Sequence, residues 1–252
     1  MITAKVYLNE KRTRREEIIM AEQKTIMAIG GHIGDMELTA GGILSTLALK
    51  GYKVVIVALT AGERGCPEHL TVAEYRKQKV AEAKAFTDLL GGVSVVWDYP
   101  DCELPLNDES RFKLCDEIRR YKPDVLLTHW KGSIHKDHIT TYNLVFEAQL
   151  LAGLPAVERE LPAHFAKGPY YCENWEDPYN FVPHTYMEVS DEGFELWEKA
   201  ISHHWFTINS KDFKYKDYYT HLMRVRGIEA RKTRAEAFMV EPMDTRVYKS
   251  EF

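Results

Sequence analysis

The sequence predicts an α/β fold: a Rossmann-like, mostly parallel sheet with helices on both faces and an elaborated C-terminal part. Three observations carry that expectation. Short apolar, β-rich runs alternate with helical stretches over the first 130 residues. The runs are continuously apolar, as strands covered on both faces are, and do not alternate apolar with polar. The stretches between them are about ten residues or longer, enough for the crossover that a parallel pair requires.

The first strand is read at Lys24-Thr-Ile-Met-Ala-Ile-Gly30, followed by a glycine-containing turn and an apolar-periodic helix over Gly41 to Leu49. Lys53-Val-Val-Ile-Val-Ala-Leu-Thr60 is the second strand. After a polar loop, a helix runs from about Val72 to Leu90 and stops at Gly91-Gly92, a strong C-terminal signal. Val93 to Trp97 and Val125 to Thr128 are the third and fourth strands, with a helix near Ser110 to Tyr121 between them. Residues 155–190 are rich in Pro, Tyr, Trp and Asn and show no clean period. Two late helices are expected, Phe194 to His204 and Tyr218 to Glu236. Without repeats or a low-complexity linker, 23–252 reads as a single domain. Residues 1–22 read as a charged arm, packed on the domain or on a neighbouring subunit.

At 252 residues, with 45% hydrophobic and 28% charged residues, the chain can bury a sizeable core, which excludes disordered and fibrous classes. Its 33 basic against 38 acidic residues give a net charge of −5. That balance argues against a nucleic-acid binder. Apolar runs such as Val54 to Leu59 fall far short of the roughly 20 residues a membrane helix needs, so no membrane partner is expected. Residues 1–22 lack the apolar stretch of a signal peptide, and a cytoplasmic location is expected. The four cysteines (66, 102, 115 and 172) form no C-x-x-C pair and read as reduced thiols.

In such sheets ligands gather beyond the carboxyl ends of the strands, here the loops that start at Gly31, Ala61, Tyr99 and His129. Two of them concentrate His and Asp: Gly31-His32-Ile33-Gly34-Asp35-Met36-Glu37 and His129-Trp130-Lys131-Gly132-Ser133-Ile134-His135-Lys136-Asp137-His138. A divalent ion with an open position takes about three protein ligands, commonly two imidazoles and a carboxylate. His32 and Asp35, three apart on a turn into a helix, can converge on one ion, and His138 can close the triangle. A helix-capping role for each is the plainer reading. Nucleotide binding at the first turn is disfavoured, because Gly30-Gly31-His32-Ile33-Gly34 lacks the G-x-G-x-x-G spacing.

These residues resemble the PIG-L (LmbE-like) family of zinc-dependent de-N-acetylases. The family's first motif, His-Pro-Asp-Asp-x-Glu-Leu followed by Gly-Gly, is matched by His32-Ile33-Gly34-Asp35-Met36-Glu37-Leu38 and Gly41-Gly42. Its His-Pro-Asp-His is matched by His135-Lys136-Asp137-His138. Weaker similarity lies at Leu59 to Gly65, Arg119 to Val125 and Ala235 to Phe238. The resemblance implies His32, Asp35 and His138 as ligands of Zn2+, with Fe2+ as the alternative. It implies His135 and Asp137 as the pair that handles charge and returns a proton to the departing amine. It further implies an N-acetylated small-molecule substrate such as an amino sugar, and a homo-oligomer. A second role for Asp137 is to orient a ligand imidazole.

One departure stands out: the family's general-base Asp is Gly34 here. Loss of such a base costs about 10²–10⁴ in rate, and Glu63, Glu37 or Asp101 are candidates to replace it. On this reading, an Asp restored at position 34 is expected to raise turnover. Arg64 is the candidate substrate-binding residue. His203 or His204 matches a family histidine near the site, and Tyr170, Tyr171, Trp175, Tyr179 and Phe181 form either a sugar-stacking wall or a satellite core. The expected function is metal-dependent removal of an N-acyl group. The alternative, motivated by Gly34, is a metal-bound but catalytically weak carbohydrate-binding or regulatory relative.

Overall fold

The computed structural model describes residues 23–247, 249 and 251, so the expected arm over 1–22 lies outside the described residues. One seven-stranded sheet forms the centre, built from β1 (Thr25–Gly30), β2 (Lys53–Thr60), β3 (Val93–Tyr99), β4 (Val125–Thr128), β5 (Lys167–Cys172), β6 (Thr185–Glu188) and β7 (Ala235–Met239). The spatial order is β3-β2-β1-β4-β5-β7-β6. The first five strands are parallel; β7 runs antiparallel to both β5 and β6. Around the sheet lie α1 (Asp35–Thr39), α2 (Gly41–Leu49), α3 (Val72–Leu89), α4 (Asp108–Tyr121), α5 (Lys136–Gly153), α6 (Asp191–Ile201), α7 (Trp205–Asn209) and α8 (Tyr215–Glu229).

The unbroken apolar strands are explained by burial on both faces. Ile26, Ala28, Val54 and Ile56 point one way, into a cluster with Phe86, Phe194, Trp197 and Met223 from α3, α6 and α8. Their neighbours Met27, Ile29, Val55 and Val57 point the other way, against Leu114, Ile118, Leu144 and Val145 of α4 and α5. Each fully buried aliphatic side chain contributes about 1.5–3 kcal/mol. Trp197 is fully buried and its indole N–H donates to the Glu37 carbonyl at 2.8 Å, which ties α6 to α1.

Because β1 is flanked by β2 on one side and β4 on the other, the crossovers leave it in opposite directions. That arrangement opens a crevice at the carboxyl ends of β1 and β4, the place where α/β sheets bind ligands. Both His-rich loops end there.

The C-terminal third departs from expectation. Residues 155–190 contain β5 and β6, which pair through β7. The helix expected over Tyr218 to Glu236 ends at Glu229, and Ala235–Met239 is a strand. Glu236 explains the change: its carboxylate accepts the Gly42 and Ile43 N–H groups at 2.8 and 2.9 Å, so β7 is fastened to the α2 N-terminus. The helix expected over Phe194 to His204 is α6, which begins earlier at Asp191 and ends at Ile201, with the short α7 following from Trp205. Among the described residues, no helix is long and apolar enough to cross a membrane, and the four cysteines are free thiols.

Candidate metal centre and cleft

The chain leaves β1 through Gly30-Gly31 and turns at Gly34, whose φ of 107° lies in the left-handed region that glycine tolerates best. The Gly34 N–H donates to Glu37 Oε2 at 3.0 Å, so α1 starts at Asp35 with its carboxylate folded back on the turn. The His32 N–H donates to Asp35 Oδ2 at 2.7 Å. From the end of β4, α5 begins at Lys136 with His135 as its cap, which brings His138 onto the first turn facing β1.

His32 Nδ1, Asp35 Oδ2 and His138 Nε2 lie in a nearly equilateral triangle with sides of 3.2, 3.3 and 3.3 Å. A tetrahedral ion held at about 2.0–2.1 Å has edges of about 3.3–3.4 Å between its ligand atoms. The distal atom of each ring determines which nitrogen is bare. His138 Nδ1 is 2.9 Å from Asp177 Oδ1, and His32 Nε2 is 3.1 Å from Asp101 Oδ1 and 3.6 Å from Asp137 Oδ2. Imidazole N–H groups that point at carboxylates leave lone pairs on His32 Nδ1 and His138 Nε2, both aimed at the triangle. Two imidazole lone pairs and the Asp35 carboxylate, which also accepts the His32 N–H, converge at a spacing that fits a divalent cation.

His129 forms a second grouping with Asp35 and His138, and His135 a third with His32 and His138. His129 Nδ1 lies 2.9 Å from Asp177 Oδ2, and its Nε2 accepts the Gly31 N–H at 3.0 Å. That lone pair is therefore engaged, although Asp35 Oδ2 is also 3.0 Å away. The His129 and His138 rings stack at 3.8 Å, and the fully buried Asp177 carboxylate orients both.

Four carboxylates (Asp35, Asp101, Asp137 and Asp177) surround these imidazoles. Burial alone would depress the His138 pKa, but Asp35 and Asp177 outweigh it and hold the ring at about 9. Burial also opposes the charge on His32, and Asp35, Asp101 and Asp137 raise it well above the usual histidine range. Burial opposes ionisation of Asp177 as well, yet His129 and His138 keep its carboxyl well below the usual range. A hollow with this excess of negative charge draws protons or a metal ion, and an ion replaces the protons.

The triangle opens into a cleft of about 970 Å³. His135 is half-buried on its wall and Asp137 is buried. These two are not a hydrogen-bonded side-chain pair. The Asp137 N–H donates to His135 Nδ1 at 3.1 Å, while the Asp137 carboxylate accepts the Cys102 N–H at 2.7 Å and faces His32. His135 Nε2 is left toward the cleft, 3.9 Å from Cys102 Sγ. Burial, followed by the nearby His32 and His138 charges, lowers the His135 pKa.

The candidate replacements for the missing base separate clearly. Glu63 accepts the Asp101 N–H at 3.1 Å and pairs with Arg76 at 3.3 Å; Glu37 is buried under Gly34. Neither lines the cleft. Asp101 does, but it is held by His32 and by the Arg64 N–H at 3.0 Å. Glu176, which sequence reasoning passed over, lines the cleft with Oε2 3.7 Å from His138 Nε2, and burial raises its pKa.

A side chain at position 34 would have to displace Phe206. A Cβ there would lie 2.5 Å from Phe206 Cζ and 2.8 Å from Cε1, on a backbone of φ 107°. An Asp restored at this position is therefore expected to collide with the ring. That contact, together with the positive φ, works against the gain in turnover expected of an Asp at position 34.

Arg64 stands at the exposed rim, paired with Glu103. His203 is exposed, and His204 is buried behind α1 with both ring nitrogens unpartnered among the described residues. Of the five aromatics, only Trp175 lines the cleft, stacked on Phe213 at 4.5 Å. Tyr171 is core with Trp130 and Tyr142, Phe181 packs against that cluster, Tyr170 packs elsewhere in the core, and Tyr179 is exposed. The aromatic wall is completed by Tyr75, Trp205, Phe206, Tyr215 and Tyr219. Besides Glu176, sequence reasoning gave no role to His129, Asp177 or Lys79. His129 was readable in principle, as an imidazole at a strand end; the others arrive from segments with no motif.

Comparison with known proteins adds relatives to this geometry. Residues 27–149 match the PIG-L family, described as GlcNAc-PI de-N-acetylase. The 4-oxalmesaconate hydratase of Pseudomonas putida is 25% identical over 240 residues, 87% of this chain and 86% of that protein. The diacetylchitobiose deacetylase of Thermococcus kodakarensis is 28% identical over 189 residues, 72% of this chain and 69% of that protein. Two crystal structures share the fold. The 4-carboxy-2-hydroxymuconate hydratase of Pseudomonas putida has a TM-score of 0.79 at 22% identity, covering 91% of this chain and 100% of its own. The N,N'-diacetylchitobiose deacetylase of Pyrococcus horikoshii has a TM-score of 0.76 at 23% identity, covering 91% and 88%.

Proposed function

Because residues 27–149 carry a PIG-L (LmbE-like) family domain, we propose that this chain is a metal-dependent enzyme that directs water at a small polar substrate. The reaction is removal of an N-acyl group, acetyl in the first instance, from an amino sugar or related molecule. The triangle of His32 Nδ1, Asp35 Oδ2 and His138 Nε2 carries this reading. Zinc is the expected ion and ferrous iron the alternative. A single domain over 23–252, a homo-oligomer and a cytoplasmic location complete the proposal.

When bound, a divalent ion would polarise a substrate oxygen and acidify water. The residues around it do the rest. Asp177, Asp101 and Asp137 fix the ring orientations of the two ligand imidazoles. Glu176 can take a proton from the attacking water and return it to the departing amine, and the His135 Nε2–H, open to the cleft, can donate to the charge that develops on the acyl oxygen. Trp175 and its aromatic neighbours supply apolar faces on which a sugar ring can stack.

A second reading, hydration of an unsaturated carboxylate, is favoured by one observation. Phe206 fills the space that the family's base would occupy, and hydration needs no protonation of an amine leaving group. Relatives named as hydratases and as deacetylases both span most of this chain. Two assays on one metal-loaded preparation decide: free-amine release from a panel of N-acetylated sugars, and loss of the alkene chromophore from unsaturated di- and tricarboxylates. Amine release supports deacetylation, and alkene loss alone supports the hydratase reading. With neither, the chain is a binding protein.

A further inference from the structure

Lys79, on α3, is 6% exposed, yet it lines the cleft. Its ammonium has one hydrogen-bond acceptor among the described residues, the Gly62 carbonyl at 3.3 Å, and no carboxylate within ion-pair distance. Two aromatic rings also face it: the Phe206 ring centroid at 4.9 Å and that of Tyr75 at 5.6 Å. The approach depends on Gly62. A Cβ there would lie 3.0 Å from Lys79 Nζ and 2.9 Å from His32 Cβ, so the ammonium sits beside the metal triangle. Burial opposes its charge, which Asp35, Asp101, Glu37 and Glu82 favour through space only. Phe206, which closes the place of the family's base, is also the ring against which this cation rests.

A buried ammonium without a counter-ion costs several kcal/mol unless something compensates it. At the wall of a cleft, that compensation is available from a ligand. The cleft's other cations are placed differently: Arg64 is paired with Glu103, and Lys211 stands on a segment exposed to solvent.

We propose that Lys79 is an anion-recognition residue and that the substrate carries a carboxylate, which the ammonium binds while the metal centre takes the reacting group. The proposal rests on the functional reading above and narrows its substrate class. The carboxylate belongs either to an N-acylated acid or to an unsaturated acid.

The test is calorimetric titration of the full, zinc-loaded chain with acetate, succinate and glutarate, with zinc content measured in parallel as the separate report on the metal centre. A charge-assisted contact predicts that a dicarboxylate of fitting length binds at least about tenfold more tightly than acetate. Lys79→Met should abolish that advantage, and Lys79→Arg should keep part of it. A dicarboxylate no tighter than acetate, or an advantage that survives Lys79→Met, overturns the assignment. Should Lys79→Met not fold, glutarate against its monoamide on the unaltered chain makes the same distinction, and equal affinities refute the assignment. N-acetylglutamate and fumarate, titrated likewise, separate the two sources by which of them shows the Lys79-dependent gain; a gain with neither counts against the proposal.

Discussion

Gly34→Asp tests the site's local structure most sharply, because the family comparison and the geometry predict opposite outcomes. A family-type carboxylate at position 34 would supply a general base worth about 10²–10⁴ in rate. In this fold the same change costs stability twice. The backbone φ of 107° is outside the usual range for a residue with a Cβ, a strain of about 1–2 kcal/mol. The Cβ would also stand 2.5 Å from Phe206 Cζ, an overpacking term of about 1–3 kcal/mol. The predicted loss is about 2–5 kcal/mol, read by urea unfolding of metal-loaded protein. Amine release should stay level or fall. Phe206→Ala should relieve the collision, so the double variant should lose less than the sum of the single changes. A Gly34→Asp protein as stable as the parent, with a tenfold gain in turnover, would refute the argument.

Further outcomes follow from the same geometry. His135→Ala should keep its metal and lose turnover, on the assignment of Asp35, and not the neighbouring His135, as the third ligand beside His32 and His138; metal loss as complete as in His138→Ala would make it a ligand, and metal analysis beside kinetics decides. Asp177→Asn should weaken metal binding about 10–100-fold, because one carboxylate orients both His129 and His138; competition with a chromophoric chelator measures it, and unchanged affinity would contradict the assignment. Burial, with the Lys79 and His203 charges, pushes the His204 pKa down to about 3. Its folded value lies below its unfolded value of about 6.5, so stability present above pH 6.5 is lost as pH falls toward 3, by about 2–3 kcal/mol at pH 4.5. In His204→Leu that part of the acid slope should vanish in urea titrations between pH 7 and 4.5, and an unchanged slope would rule out His204 as its source.

The first four strands were legible because double burial leaves an unbroken apolar run, and strand ends then point to the His-rich loops. β5 and β7 were hidden for different reasons. β5 begins in a Pro- and Tyr-rich stretch with no period, and β7 reads locally as helix until the Glu236 carboxylate fastens it to α2. The candidate ligands could be proposed from sequence because they stand close to one another within two motifs. Asp177 and Glu176 could not, since a turn between β5 and β6 delivers them across the sheet. Nor could Lys79: on an amphipathic helix a lysine reads as solvated, and only Gly62 and Phe206 reveal its burial. The absence of a base at position 34 was visible in the sequence; the ring packed against that position was not.

Every role proposed for the cleft depends on His32, Asp35 and His138 holding one divalent ion. Metal content by elemental analysis of anaerobically purified protein tests this directly, on the parent chain and on the His32→Ala, Asp35→Ala and His138→Ala variants, with His129→Ala as the control for the competing triad. The prediction is about one equivalent in the parent, well below one in each of the three variants, and near-full occupancy in His129→Ala wherever that variant folds. Full occupancy in all three variants, or a parent chain that takes up no divalent metal, would contradict it.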